Sequence, residues 1–284
     1  MLSKIKLTIL SENRVNNPKL IAEQGLSVLV QTSEGNILFD TGQTDAFMHN
    51  AIQLGLDLNL VDMIVLSHGH FDHTGGLTHF VKRVKPISVV CHPALTNKKF
   101  RVYPNGKVDI GVPWEKKDVT SSGANFIFKS HAHELFPDVW ISGEIPRLTE
   151  YEFIDETYQQ RVLESYIHDE IHDDMSLILN SEKGLIVLLG CGHSGAVNSV
   201  KHAMRITHNN TIFAVFGGMH LLGSPLKRIE RVVADLKKID PAFIVPLHCT
   251  GFTAMHTMFQ HFKGRVKLMN VGDSFDLTAE RQRD

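Results

Sequence analysis

The segment from residue 68 to residue 73, HGHFDH, constrains this chain more than any other part of its sequence. It directly follows a short apolar run that is typical of a β-strand. Side chains two residues apart on an extended chain point to the same side, so His68 and His70 can bind one ion together. Asp72 and His73 follow where the chain turns into a predicted helix, and that turn can direct them to a second ion. The pattern therefore predicts a site for one or two metal ions.

Two ions held this close can share a hydroxide, because they lower the pKa of its parent water from about 15.7 toward about 7. In that chemistry Asp72 is a candidate catalytic residue as well as a ligand. The alternative is a polar loop whose histidines only form hydrogen bonds. Four candidate ligands within six residues, directly after an apolar strand, favour the metal site. We expect zinc, with manganese or iron as alternatives.

Composition limits the class of protein further. The 284 residues include 17 histidines, and neutral imidazole is the commonest protein ligand for transition metals. The net charge of −2 gives no basic field for nucleic acid, and no apolar run reaches the roughly 18 residues of a membrane span. The first residues do not form a signal peptide, and three widely spaced cysteines do not suggest disulfides. These features predict a cytoplasmic protein that acts on a small-molecule substrate.

Apolar and alternating runs predict two sets of strands with helices between them. Strands are expected at residues 5–10, 26–31, 36–39, 63–66, 87–91, 177–180, 185–189, 211–216 and 243–246. Helices are expected at residues 44–54, 77–84 and 196–206, and after Ser224. Residues 96–174 lose this periodicity and are interpreted as an insertion or elaboration on a single α/β domain that spans residues 1–284. Spacing alone allows either a four-layer αββα sandwich or a doubly wound sheet.

The helix after Ser224 has the clearest sequence signals for its start and its buried face. Ser224 is expected to be its N-cap, with Pro225 at the first helical position. Its apolar stripe is expected to consist of Leu226, Ile229, Val232, Val233 and Leu236.

Residues 67–77, SHGHFDHTGGL, resemble the signature of the metallo-β-lactamase superfamily. Similarity to the general superfamily pattern extends from Leu26 to about Gly251. The resemblance implies a four-layer αββα sandwich with the metal ions at one edge, and it implies the activity of a metal-dependent hydrolase. It is specific for the superfamily and says little about the substrate.

The resemblance also implies two sets of metal ligands. The first ion would take His68, His70 and a later histidine, for which His193 in GCGHSG matches the family motif. The second ion would take Asp72, His73 and the last motif histidine, matched by His248 in PLHCTG. For His193 and His248 the alternative is an isolated histidine of the core or of a loop.

One departure from the family pattern concerns the aspartate that usually bridges the two ions. Members carry it in a Gly-Asp step at a strand end, whereas residues 217–220 read GGMH here. Three alternatives stay open: His220 replaces the aspartate, Cys191 supplies a soft ligand, or water alone bridges. We expect His220 to be a catalytic residue. Asp40, in FDTG, matches a family position where a carboxylate accepts a hydrogen bond from a ligand imidazole and fixes its tautomer.

The combination of GCGHSGAVN, FGGMHL and PLHCTG resembles a narrower branch of the superfamily. Its members are named as 7,8-dihydropterin-6-yl-methyl-4-(β-D-ribofuranosyl)aminobenzene 5′-phosphate synthase-like proteins. Three hypotheses follow. The leading one is hydrolysis of an ester, lactone or phosphodiester of a small molecule by metal-bound hydroxide. The second is a pterin-related synthase acting on a ribosyl-phosphate substrate, and the third is a diiron redox or sensor protein.

Three other features have competing interpretations. Residues 130–134, SHAHE, repeat the His-x-His spacing without a predicted strand before them, which favours a solvated loop over a ligand pair. Residues 168–174, HDEIHDD, suggest a charged surface loop, or else a mouth over the metal site with Asp174 near the ions. Four cationic residues either are solvated or hold a substrate phosphate: Lys98, Lys99, Arg101 and Arg147.

Overall fold

The computed structural model describes residues 1–84 and 86–277. The strands of the amino-terminal half are Ile5–Ser11 (β1), Ser27–Thr32 (β2), Asn36–Phe39 (β3), Met63–Val65 (β4), Ile87–Cys91 (β5), Lys99–Tyr103 (β6), Gly106–Asp109 (β7), Ala124–Phe128 (β8), His131–Phe136 (β9) and Val139–Gly143 (β10). Those that follow are Tyr158–Val162 (β11), Ser165–His168 (β12), Ser176–Ser181 (β13), Gly184–Leu189 (β14), Ile212–Gly218 (β15), Phe243–Leu247 (β16) and Ser274–Asp276 (β17). The α-helices are Ala46–Gln53 (α1), Phe71–Thr74 (α2), Leu77–Arg83 (α3), Lys116–Ser121 (α4), Ala196–Thr207 (α5), Leu226–Ile239 (α6) and Phe252–His261 (α7).

Two large sheets pack face to face through a shared apolar core. The first has the strand order β17-β1-β2-β3-β4-β5-β8, and the second has the order β16-β15-β14-β13-β10-β9. Successive side chains of β14 point to opposite faces of the second sheet. Ile186 and Leu188 join the core between the sheets, whereas Val187 joins the core under the helices. Each sheet is therefore buried on both faces.

Helices cover the two outer faces. Phe47 of α1, Phe80 of α3 and Val119 of α4 pack on the first sheet. Helices α5, α6 and α7 pack on the second, with Val200 and Val232 in that contact. The order helix, sheet, sheet, helix confirms the αββα sandwich and excludes the single doubly wound sheet. None of the described helices is both long enough and apolar enough to cross a bilayer.

Residues 96–174 are more regular than their sequence suggests. They supply the edge strand β8 of the first sheet and strands β9 and β10 of the second, while β6, β7, β11 and β12 form a separate four-stranded sheet. Several of these strands are exposed along most of their length, so they lack the apolar alternation that marks the others. The interpretation of this segment as an insertion stays a prediction.

The start of α6 differs from the expected one. The helix begins at Leu226, because Pro225 keeps an extended backbone with ψ of 143°, and no side chain caps it. The expected N-cap at Ser224 and first helical position at Pro225 are therefore wrong by one residue. Leu226 was also wrongly placed in the apolar stripe: it is 53% exposed at the first position of the helix, whereas the other four residues are buried.

Candidate metal centre

The candidate site lies where parallel strands of both sheets end. Asp40 follows β3, His68 follows β4, Cys191 follows β14, His220 follows β15 and His248 follows β16. Strands β3 and β4 are parallel, as are β14, β15 and β16, so these side chains start from one edge of the sandwich. Ligand sites in α/β proteins commonly lie beyond such carboxyl ends.

A glycine allows the two sheets to approach each other at this edge. A Cβ atom on Gly190 would lie 2.0 Å from Oγ of Ser67, closer than any real contact. The end of β14 can therefore meet the end of β4 only because residue 190 has no side chain.

Backbone strain is concentrated at the same edge. Asp40, His220 and His248 have φ of 59°, 46° and 48°, in the left-handed region that non-glycine residues rarely occupy. Such conformations cost about 1–3 kcal/mol each and persist where the surrounding structure enforces them, often at functional sites.

His68, His70 and His193 form the first cluster of candidate ligands. Nδ1 of His70 lies 2.9 Å from Nε2 of His68 and 3.2 Å from Nε2 of His193. All three side chains are buried, and His70 Nε2 and His193 Nδ1 have no hydrogen-bond partner. Three neutral imidazoles cannot satisfy all these lone pairs among themselves, so the cluster fits a cation.

Asp72, His73 and His248 form the second cluster. Nε2 of His73 lies 3.3 Å from Nε2 of His248 and 4.0 Å from the Asp72 carboxylate. The other Asp72 oxygen lies 3.5 Å from His248 Nε2. Two imidazoles and a carboxylate are a common ligand set for zinc and for iron, so this cluster also fits a metal ion.

Hydrogen bonds behind the ligands fix which ring nitrogen faces the site. His73 Nδ1 donates to Asp40 at 2.7 Å, and His248 Nδ1 donates to the Asn13 side-chain oxygen at 2.8 Å. Ser67 Oγ donates to Asp40 at 2.7 Å and lies 2.9 Å from His68 Nδ1, from which it accepts. In each histidine Nδ1 thus carries a proton, and Nε2 is the ring nitrogen that faces the site as a candidate ligand.

Burial and neighbouring charges set the protonation of the histidines in opposite directions. Burial, reinforced by the surrounding imidazoles, lowers the pKa of His68, His70 and His193 well below 6.5. Burial also lowers the pKa of His73, but the carboxylates of Asp40 and Asp72 outweigh it and raise that pKa to about 9. The first cluster is therefore neutral at pH 7, as metal ligands must be.

A cavity of about 550 Å³ opens onto both clusters. Its walls include the guanidinium of Arg101, whose Cζ lies 5.0 Å from the centre of the Tyr158 ring and 5.3 Å from that of Tyr103. The tyrosine hydroxyl of Tyr158 lies 3.1 Å from Nε2 of His220. The cavity thus combines candidate metal ligands with aromatic and cationic side chains that come from the small four-stranded sheet.

His220 and Asp174 are placed differently from the two clusters. His220 packs its ring 4.2 Å from that of His193 on the Tyr158 side of the cavity, and its buried Nδ1 has no partner. Asp174 accepts a hydrogen bond from the Ser194 backbone at 2.7 Å and belongs to none of the candidate metal clusters among the described residues. Burial raises the pKa of Asp174 to about 6. Its visible role is to hold the loop that carries His193.

The expected surface loop at residues 168–174 is wrong, because three of its carboxylates are buried. Asp173 accepts from the Gly69 backbone at 2.7 Å and from Lys99 Nζ at 2.7 Å, and Asp169 binds the same Lys99 at 3.2 Å. Lys99 is thus a buried partner of two carboxylates, neither solvated nor free for a phosphate. The segment clamps the backbone between the first two histidines.

Other sequence candidates lie away from the centre. His131 and His133 lie on the edge strand β9, so the expectation of a loop at residues 130–134 is wrong. Both side chains are exposed, which agrees with the expectation of a solvated pair. Lys98 is exposed near Glu115, and Arg147 binds the backbone carbonyl of Glu170. None of these lines the cavity described above.

Sequence reasoning gave no role to several residues that line or support the site. Asn13 holds His248, Gln24 donates to Asp72 at 3.3 Å, Ser67 links His68 to Asp40, and Tyr158 contacts His220. Only Ser67 carried a signal, because it opens the histidine motif. The others follow from chain crossings that no local pattern encodes.

The sequence matches the family model described as the metallo-beta-lactamase superfamily over residues 20–187. That is more than half of the chain. This chain belongs to the metallo-β-lactamase superfamily. Its fold and its histidine clusters at the edge of the sandwich are those of a candidate metal-binding member of that superfamily.

Two relatives from Methanocaldococcus jannaschii extend over most of this metallo-β-lactamase chain. One, named 7,8-dihydropterin-6-methyl-4-(beta-D-ribofuranosyl)-aminobenzene-5′-phosphate synthase, is 31% identical over 282 residues and covers 94% of this chain and 95% of that protein. The other, the uncharacterized protein MJ0448, is 32% identical over 243 residues, covering 85% and 90% of the two chains. The resemblance to the narrower branch is thus confirmed at the level of similarity.

A solved structure supports the same assignment. Tm1679, described as a metal-dependent hydrolase of the β-lactamase superfamily, superposes with a TM-score of 0.84 at 26% identity. The match covers 95% of this chain and 98% of that one. The two relatives are named for different activities: Tm1679 is described as a hydrolase, and the methanogen protein is named as a synthase. The comparisons therefore agree on the superfamily and not on the reaction.

Proposed function

We propose that this protein is a metal-dependent hydrolase that cleaves an ester, lactone or phosphodiester bond in a small molecule. The observation that carries the proposal is the convergence of two ligand clusters, one of three histidines and one of two histidines with Asp72, on one cavity of about 550 Å³. We further propose zinc as the metal and two ions as its number. Bound there, the ions would activate water and polarise the bond under attack.

The chain's own residues have separable tasks in this reaction. Asp40 and Asn13 hold ligand imidazoles in one tautomer through hydrogen bonds of 2.7 and 2.8 Å. The Asp72 carboxylate lies at the cavity wall, where its oxygens can orient a water and accept its proton. Nδ1 of His220, another residue of the cavity wall, is buried without a partner, which leaves it to hold or transfer a proton.

The test is hydrolysis of an aryl phosphodiester and a set of lactones by protein loaded with zinc, manganese or iron. We expect turnover with at least one of these metals. The His68→Ala variant should lose both the bound metal and the activity. His220→Ala should lower kcat while the metal content stays at the wild-type value. Inactivity of all three metal forms over the whole panel would contradict the proposal.

A second candidate, a synthase acting on a pterin and a ribosyl phosphate, is favoured by the cavity walls as well as by the name of the methanogen relative. Arg101 stacks against Tyr103 and Tyr158 and forms no salt bridge among the described residues, although the Asp155 carboxylate lies close enough to interact with its charge. A free guanidinium fork suits a phosphate, and flat aromatic walls suit a pterin ring.

Binding distinguishes the two candidates. Tight binding of a reduced pterin, seen by fluorescence, together with weaker binding of ribose 5-phosphate by Arg101→Met than by wild type, would favour the synthase. Lys98→Met is the matched control, because Lys98 is exposed and lies outside the cavity. No binding of either compound would leave hydrolysis as the better account.

A further inference from the structure

Cys191 occupies a central position in the metal centre. It is the second residue after β14 and is buried, with its Sγ 3.1 Å from Nε2 of His73. Its sulfur lies within 4.8 Å of candidate ligand atoms in three separate groups. The partners in these groups are His68 with His73, His193 with His220, and His248 with Cys249. No other candidate ligand among the described residues reaches so many of the others.

Carboxylates that could hold this position have other contacts. Asp72 is grouped with His73 and His248 alone, so it belongs to one side of the centre. Asp40 accepts hydrogen bonds from His73 Nδ1 and from Ser67 Oγ. It therefore lies behind these residues and does not face the candidate ligand atoms. His220 is grouped with His193 and Cys191 and with no member of the second cluster among the described residues. Among the described candidate ligands outside the two clusters, Cys191 is therefore the one whose ligand atom is grouped with members of both.

Gly190 and Cys191 also form a step of glycine followed by a candidate ligand at a strand end. This step follows β14, whereas the family pattern places the Gly-Asp step at the position of Gly218 and Met219, after β15. Gly190 makes the approach possible, because a side chain there would collide with Ser67. The neighbouring strand ends in Gly218, and a Cβ on that residue would lie 2.8 Å from Cys249 Sγ. These glycines thus let the strand ends approach closely enough to bring the side chain of residue 191 between the clusters.

We propose that Cys191 binds as a thiolate that bridges the two metal ions. The inference rests on the proposed metal-dependent function and specifies the ligand that completes its centre. When sulfur binds, the S–H bond breaks, the proton leaves to solvent, and the sulfur lone pairs form bonds to the two metals. A thiolate bridge favours zinc, cobalt or iron over magnesium or manganese, because soft sulfur prefers the softer ions.

Cobalt substitution tests the bridge independently of turnover. The metal-free protein is titrated with Co²⁺ while the near-ultraviolet and visible spectra and the bound stoichiometry are recorded. We expect two bound ions and a sulfur-to-cobalt charge-transfer band in wild type. Cys191→Ser should lose the band and bind the second ion at least about tenfold more weakly, as expected when a ligand is removed.

Cys91→Ala is the matched control, because Cys91 is a buried cysteine of the core under the first sheet's helices and belongs to none of the candidate metal groups among the described residues. It should keep the charge-transfer band and both ions. Cys191→Asp should restore two bound ions without the band, which guards against the possibility that Cys191→Ser merely misfolds.

The outcomes separate the two proposals. Two bound cobalt ions with no sulfur band in wild type, or an undiminished band in Cys191→Ser, would overturn the bridging thiolate and leave the hydrolase intact. Failure of the wild-type protein to bind any cobalt or zinc would overturn both. A normal centre in wild type and in Cys91→Ala, together with loss in Cys191→Ser, supports the bridge even when no substrate has been found.

Discussion

Two His-x-His pairs occur in this protein, and only one of them lies in a candidate metal site. His68 and His70 are 0% and 5% exposed at the end of β4, an interior strand with parallel neighbours on both sides. His131 and His133 are exposed on β9, the edge strand of the other sheet. The same spacing directs two imidazoles to one side in both cases. The spacing is therefore not sufficient to make a site.

The difference lies in what each pair meets. Beyond β4 the chain encounters loops from the second sheet, which bring His193, His248 and Cys191 within a few ångströms. On β9 the nearest polar partner of His131 is Ser130, at 3.0 Å. A metal site needs donors from separate chain segments and a place closed to water, and only the interior strand end provides both.

The largest expected difference between the pairs is in metal binding. His68→Ala should lose at least one metal ion and lower hydrolytic activity by more than the 10–100-fold typical of residues behind the ligands. His131→Ala should keep the full metal content, measured by elemental analysis. Equal metal loss in the two variants would break the comparison.

Acid should also act on the buried pair more than on the exposed one. In metal-free protein, burial holds the pKa of His68, His70 and His193 below the unfolded value of 6.5. The unfolded chain then binds more protons below that pH, so the free energy of unfolding should fall as pH falls below 6.5.

His73 acts in the opposite sense on the alkaline side. Because its folded pKa is raised to about 9, its stabilising contribution is complete below 6.5 and is lost as pH rises through 9. Urea unfolding of the metal-free protein from about pH 5 to about pH 10 should therefore show a maximum near neutral pH. The variant with both His131→Ala and His133→Ala should give the same curve, and a flat wild-type curve would contradict the burial argument.

A smaller effect is expected from the carboxylate that supports the buried pair. Asp40→Asn should weaken metal affinity by about 10–100-fold, because the amide cannot match the charged hydrogen bonds to His73 and Ser67. Glu134→Gln, a carboxylate change beside the exposed pair, should leave affinity unchanged in a competition with a chelating dye. Full affinity in Asp40→Asn would show that the ligand tautomers are fixed in another way.

The middle residue of each pair gives a finer test. A Cβ on Gly69 would lie 2.0 Å from the Leu95 carbonyl oxygen, whereas the exposed pair already carries Ala132. Gly69→Ala should therefore lower the free energy of unfolding by about 1–3 kcal/mol. Ala132→Gly should lower it by only about 0.5–1 kcal/mol, the entropic cost of a glycine in a strand. Chemical denaturation of both variants measures the difference.

The least effect is expected at the exposed pair itself. His133→Ala removes a solvated side chain from an edge strand, so it should change the free energy of unfolding by no more than about 0.5 kcal/mol. A larger change, or a loss of metal, would show that β9 contributes to the centre in a way that its exposure does not indicate.

Sequence reasoning reached the fold through the regular strands and failed where strands were exposed. The largely apolar sequences of β1, β2, β13 and β14 follow from burial of both sheet faces, and these strands were predicted within one or two residues. Strands β7 and β12 are mostly exposed, β6 is mostly half-buried, and none of the three carried such a pattern. Burial produces the periodicity, so elements without burial leave no periodic trace in the sequence.

The candidate site divides in the same way. The motif of residues 68–73 named four of its side chains, because closely spaced ligands leave a local pattern. Asn13, Gln24 and Tyr158 joined the site only through chain crossings between distant segments, and their residue types are common on any surface. Their positions in the sequence therefore carry no signal of a role in the site.

The amino-acid sequence by itself determined the superfamily, the layered α/β class and the first histidine motif, because each depends on periodicity or on neighbours along the chain. Only the tertiary structure decided that Cys191 adjoins both clusters, that Lys99 is buried between two carboxylates, and that the second His-x-His pair stands in solvent. These outcomes depend on which strand ends meet when two sheets pack. That meeting is set by the collective burial of the core, and no single segment of the chain encodes it.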